Sequence, residues 1–184
     1  MNLLPSILIL LVALLAVFAQ AALPGFRPWF GAQVDLLPAL MVYTALSSNL
    51  ATVITLAVAG SLAFDSLSAN ALGVSLLPLF AVGLLIHSRR DLILRDQVFA
   101  QFVLGGLASA LVPTSTLLLM LSAGQQPLLA WGTVWQLIVT CVGGAVATPF
   151  LFWLFDWLNR ALGYQPVTQS SFREDREIRR GRNY

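Results

Sequence analysis

The 184-residue sequence contains no lysine, one histidine (His87) and one cysteine (Cys141), and charged residues make up only 10% of it. Each scarcity removes a class of function. Ten basic residues, all arginine, against eight acidic ones leave a net charge of +2, and the arginines cluster locally, so no extended basic surface exists for nucleic acid. A lone cysteine excludes an internal disulfide framework and any CxxC metal or redox motif, and a lone histidine excludes a multi-histidine zinc set. No GxSxG context surrounds Ser47, Ser48, Ser115 or Ser122, and no glycine-rich loop is followed by the lysine that a phosphate site uses. His87, beside Arg89 and Arg90 at the end of an apolar segment, reads as an interfacial residue rather than a general base. Without a nucleophile and base, paired carboxylates or a metal set, the expectation is a protein that is not an enzyme and carries no cofactor.

What the sequence has in abundance is apolar side chains, 58% of the total, a composition that belongs in lipid. Residues 3–22 form a first apolar run of about 20 residues, the length that spans a hydrocarbon core. Ala19-Gln20-Ala21 looks like a cleavage site, but the basic n-region of a signal peptide is missing, so the run reads as a membrane helix. Residues 24–31, with two prolines, two glycines and three aromatics, mark a turn at a membrane surface. Residues 36–64 are apolar apart from threonines and the Ser47-Ser48-Asn49 interruption, and the preferred reading is two short helices hinged there. A polar stretch at 65–70 precedes apolar residues 71–86, which end at His87-Ser88-Arg89-Arg90-Asp91. Residues 98–121 and 128–158 supply the last two helices, joined by a turn at 122–127. Trp135 and Trp153 in the last helix lie 18 positions apart, roughly 27 Å along its axis, and with Trp131 and Trp157 they read as interfacial anchors.

This is the pattern of an all-α integral membrane protein with about six transmembrane helices in residues 1–163, followed by a polar, arginine-rich tail at 164–184. Arg89, Arg90 and Arg95 in one loop, and the arginines of the tail, place both segments on the cytoplasmic side, where positive charge is retained during insertion. Six helices put the N-terminus there too. Five would put it outside, and charge alone accepts either count.

Small residues carry a second signal. Gly105-Gly106 and Gly143-Gly144 sit within the last two helices, where close backbone approach supplies the packing that lipid does not drive. Their partner helix is expected within this chain. Asp65 stands out because a carboxylate after a long apolar run is costly unless it is at the surface or paired. If residues 36–64 form a hairpin, Asp35 and Asp65 lie at the same membrane side.

The stretch Val34-Asp35-Leu36-Leu37-Pro38, followed by Val42-Tyr43, Gly60, Asp65-Ser66-Leu67-Ser68 and Leu72-Gly73-Val74, resembles the bacterial rod shape-determining MreD family. The shared spacing is a glycine shortly before an aspartate, a serine three positions after it, and Leu-Gly at seven and eight. The resemblance covers residues 1–163 and does not account for the tail. It implies a non-enzymatic scaffold in the bacterial inner membrane, part of the cell-elongation complex that makes peptidoglycan. The implied partners are MreC and, directly or through it, RodA, the elongation transpeptidase, RodZ and MreB, together with membrane lipids. On this reading Asp35, Pro38, Gly60, Asp65, Ser68, Leu72 and Gly73 are expected at the partner contact, and Arg89, Arg90 and Arg95 face the cytoplasm and lipid headgroups.

The family is also similar in fold to the six-helix substrate-capture subunits of vitamin transporters, which gives a rival reading as a small-molecule capture subunit. Those subunits tend to carry AxxxA in the first helix. Here Ala13, Ala16 and Ala19 are followed four positions later by Val17, Gln20 and Leu23. In the tail, Ser171 and Glu174 have capping-box spacing, and the arginines there suit anionic headgroups.

Overall fold

In the computed structural model, described for residues 3–22, 34–68, 72–93, 97–124 and 131–161, those residues form six α-helices and one short 3-10 turn, with no strand among them. The helices are α1 (Leu3–Ala22), α2 (Leu37–Ser47), α3 (Leu50–Leu67), α4 (Leu76–Ser88), α5 (Val98–Ser122) and α6 (Trp131–Ala161), and the 3-10 turn Arg90–Leu92 follows α4. Three of them, α3, α5 and α6, are long and apolar enough to cross a membrane. The tail at 164–184 lies outside the described residues.

Local chemistry sets the element boundaries. Residues 36–64 are broken at Ser48 and Asn49, where the extended Asn49 accepts hydrogen bonds from the Thr52 backbone N–H and hydroxyl and so caps α3. An asparagine oxygen in that position satisfies a helix N–H that would otherwise be orphaned. Pro38 opens α2, where its missing N–H costs nothing. Within the helices, Thr44, Thr116, Thr140 and Thr148 donate to carbonyls one turn back. These four hydroxyls thus sit in an apolar interior with their hydrogens paired, whereas the hydroxyls of Ser47 and Ser109 are buried without a partner among the described residues.

The helices alternate in direction. Ser6 pairs with Thr52 at the starts of α1 and α3, Asp65 at the end of α3 bonds Ser75 before α4, and His87 at the end of α4 meets the Ala45 carbonyl near the end of α2. One end of the bundle therefore gathers Asp35, Asp65 and Ser75, and the other Asn49, His87 and the exposed Arg89 and Arg90. Arg95 lies outside the described residues.

At the centre is α2. Every residue from Leu37 to Leu46 is buried, and α2 packs on all five other helices. Tyr43 stacks on Phe155 with ring centroids 4.2 Å apart and meets Phe152 edge-on at 4.9 Å, joining α2 to α6. Close approach elsewhere depends on glycine: a side chain at Gly83 would run into Met41 and Val53, and one at Gly60 into Leu37.

The α5–α6 contact is built on small residues. Gly105 faces Thr148 and the Gly144 carbonyl, Gly144 faces Ser109, and Gly106 lies against Ala145 and Cys141. Gly143 is different, since its neighbour is Val34, just before α2. The partner of these glycines is therefore this chain itself. Facing outward are apolar stripes such as Ile7, Leu11, Leu14 and Phe18 on α1, and Trp131, Trp135, Trp153 and Trp157 on α6.

Candidate functional site

Polar groups converge at the end of the bundle where α3 meets α4. Asp65, near the end of α3, is 1% exposed. Its Oδ2 accepts from the Gly73 N–H at 2.8 Å and the Ser75 N–H at 3.3 Å, and its Oδ1 accepts from the Ser75 hydroxyl at 2.7 Å. A carboxylate that collects several N–H and O–H donors is held in place as firmly as a buried charge can be. Gly73 has φ +88°, a left-handed backbone that glycine takes without strain, and this turn aims its N–H back at Asp65. The Ser68 hydroxyl donates to the Asp65 carbonyl at 3.3 Å. Asp65, Gly73 and Ser75 are therefore tied together, and Leu72, next to Gly73, is 70% exposed.

The residues expected at the partner contact differ in exposure. Pro38 and Asp65 are fully buried side chains, and Gly60 lies against Leu37 in the interior. Leu72 is exposed, while Ser68 and Gly73 are partly so.

Asp35 sits on the same end, ahead of α2. Its Oδ1 accepts from the Leu37 N–H at 2.9 Å, serving the first turn of α2. Burial raises its carboxyl to about 6, against a smaller lowering by the Leu37 N–H. Beside it is a cavity of about 240 Å³, lined by apolar residues that include Phe64, Leu79, Leu117 and Leu137, and by the polar side chains of Ser75, Thr116, Thr133, Gln136 and Thr140. Among the described residues, no group of three or more His, Cys, Asp or Glu is placed to hold a metal ion.

Two features went unread in the sequence. Ser75 carries most of the Asp65 interaction, and its signal was available: a serine two positions after a glycine and just before an apolar run. Apart from Ser75, the polar side chains that line the cavity beside Asp35 come from the second half of α5 and the first half of α6, and nothing in linear spacing brings those halves to Asp35.

At the opposite end the His87 ring lies 3.0 Å from the Ala45 carbonyl, and Arg90 donates to the Ser48 carbonyl at 3.4 Å. Arg89 and Arg90 are exposed there, available to headgroups or solvent. No family model matches the chain, and no curated protein or solved structure shows significant similarity to it.

Proposed function

We propose that this chain is a non-enzymatic scaffold in the bacterial inner membrane, resembling the MreD family, that holds an MreC-like single-pass protein within the cell-elongation complex. RodA, the elongation transpeptidase, RodZ and MreB are then reached directly or through that protein. The observation that carries the reading is the tie of Asp65 to Gly73 and Ser75. The carboxylate accepts three hydrogen bonds inside the chain, which fixes Gly73 and so supports the exposed Leu72 beside it. Rigid, pre-formed contact surfaces lose less entropy on binding.

In this proposal all six helices cross the bilayer, with both termini cytoplasmic. The 11-residue α2 extends only about 17 Å against a core of roughly 30 Å. It is compatible with a crossing because its neighbours surround it, and non-helical backbone at membrane depth is tolerated where protein buries it. The exposed Arg89 and Arg90 then lie at the cytoplasmic surface, and Asp65, Gly73 and Ser75 at the outer one.

The cavity beside Asp35 favours the rival reading, a capture subunit for a small molecule. Purification of the tagged full-length chain from its native membrane in mild detergent, with mass spectrometry of retained proteins and small molecules, separates the two. Recovery of an MreC-like protein near equal stoichiometry supports the scaffold. Recovery of transporter ATPases with a tightly bound vitamin, and no elongation protein, overturns it.

A further inference from the structure

The cavity beside Asp35 carries several polar oxygens and, on the Gln136 amide, an N–H donor turned towards the Thr140 hydroxyl at 3.4 Å. Of its hydroxyls, Ser75 gives its hydrogen to Asp65, Thr116 to the Val112 carbonyl and Thr140 to the Gln136 carbonyl. A hydroxyl already donating offers a neighbour only lone pairs. Asp35 adds a carboxylate whose Oδ2 has no hydrogen-bond partner among the described residues. It is the one charged side chain among the described lining residues, with no arginine or histidine beside it. The remaining described wall is aliphatic apart from Phe64, Met120, Thr133 and Gln136.

A carboxylate facing an apolar cavity is stabilised by a cation that pairs with it. Three hydroxyls that already donate, together with the Asp35 carboxylate, suit an occupant that brings its own N–H hydrogens. A bare metal ion would bring charge too, but Asp35 is the one carboxylate among the described lining residues, and no group of three or more His, Cys, Asp or Glu gathers there among them. The volume, about 240 Å³, is below that of pockets for drug-sized ligands, which begin at roughly 300 Å³. We propose that this cavity binds a small organic ammonium, its charged nitrogen against Asp35 and its apolar body against Leu79, Leu117 and Leu137. The site does not depend on the scaffold reading.

Benzylammonium is a suitable probe, with benzoate and benzyl alcohol as controls of nearly equal size and different charge. The full-length chain in lipid nanodiscs is titrated calorimetrically with each. The expected result is saturable binding of benzylammonium at one site per chain, about tenfold or more tighter than either control. Asp35→Asn should weaken it by about tenfold or more, and an asparagine oxygen can still accept from the Leu37 N–H, so the start of α2 keeps its partner. Circular dichroism checks that the variant is folded. If it is not, Thr116→Leu, which fills the cavity without touching Asp35, is the second variant, and it too should abolish binding. Affinity should also fall as pH drops through about 6, where the Asp35 carboxyl takes up a proton. Equal uptake of benzoate or benzyl alcohol, binding unchanged in Asp35→Asn, or no binding at all overturns the proposal. Partner retention reads the scaffold proposal separately.

Discussion

Asp35 and Asp65 lie at the same end of the helix bundle, yet their carboxylates are used differently. Asp65 is engaged by the Gly73 and Ser75 N–H groups and the Ser75 hydroxyl, whereas Asp35 accepts from the Leu37 N–H and borders a cavity. A carboxylate saturated by its own chain is a structural tie. One that keeps an oxygen facing open space retains the capacity to bind. Sequence context separates them, because Asp65 is followed by a glycine turn and a serine that fold back onto it, and Asp35 is followed directly by an apolar helix with little to offer.

The largest expected effect comes from breaking the saturated member. Asp65→Ala removes the acceptor for three donors, two of them buried, and should cost about 4 kcal/mol, read as loss of thermal stability in detergent. Asp65→Asn keeps an acceptor but sets its amide against donors, and should cost about half as much. A stability change within about 0.5 kcal/mol for Asp65→Ala would place the residue in a surface loop. Packing comes next: Gly144→Ala pushes a methyl into Ser109 and should separate α5 from α6 at a cost of about 2 kcal/mol in the same measurement.

The open member should behave differently. Burial holds the Asp35 carboxyl at about 6 in the folded chain against an ordinary 3.8, so the fold favours the protonated form. Its contribution to stability is full below pH 3.8 and is lost as pH rises towards 6. Thermal unfolding across that window should show the decline, and Asp35→Asn should remove that part of the slope while costing under about 1 kcal/mol at neutral pH. The smallest effect on stability belongs to Leu72→Glu. Exposed and without buried contacts, the variant should stay within about 0.5 kcal/mol of the parent and yet lose its co-purifying partner.

Much of the helical architecture is legible in the sequence because lipid-compatible runs and their polar interruptions are read along the chain. The break at Ser48 and Asn49, the turn after Asp65 and the small-residue seam around Gly105 and Gly144 all follow from neighbours close in sequence or from helix composition. The interior position of α2 is another matter. Its apolar residues look like those of any membrane helix, and only the packing of five other helices around it makes Leu37 to Leu46 buried on every side. For the same reason Pro38 and Gly60 look like motif residues in the sequence and are interior residues in the fold. The cavity depends on segments more than sixty residues apart, beyond the reach of any spacing rule.

The central claim is that the tie of Asp65 to Gly73 and Ser75 presents Leu72 to a protein. Site-directed photocrosslinking tests it most directly: Leu72→p-benzoylphenylalanine, placed in the full-length chain in its native membrane, is irradiated and the adduct identified by mass spectrometry. The account predicts a crosslink to a single-pass, MreC-like protein, lost when Asp65→Ala is added. Adducts to lipid alone, while a control position on the opposite end captures the elongation protein, would contradict it.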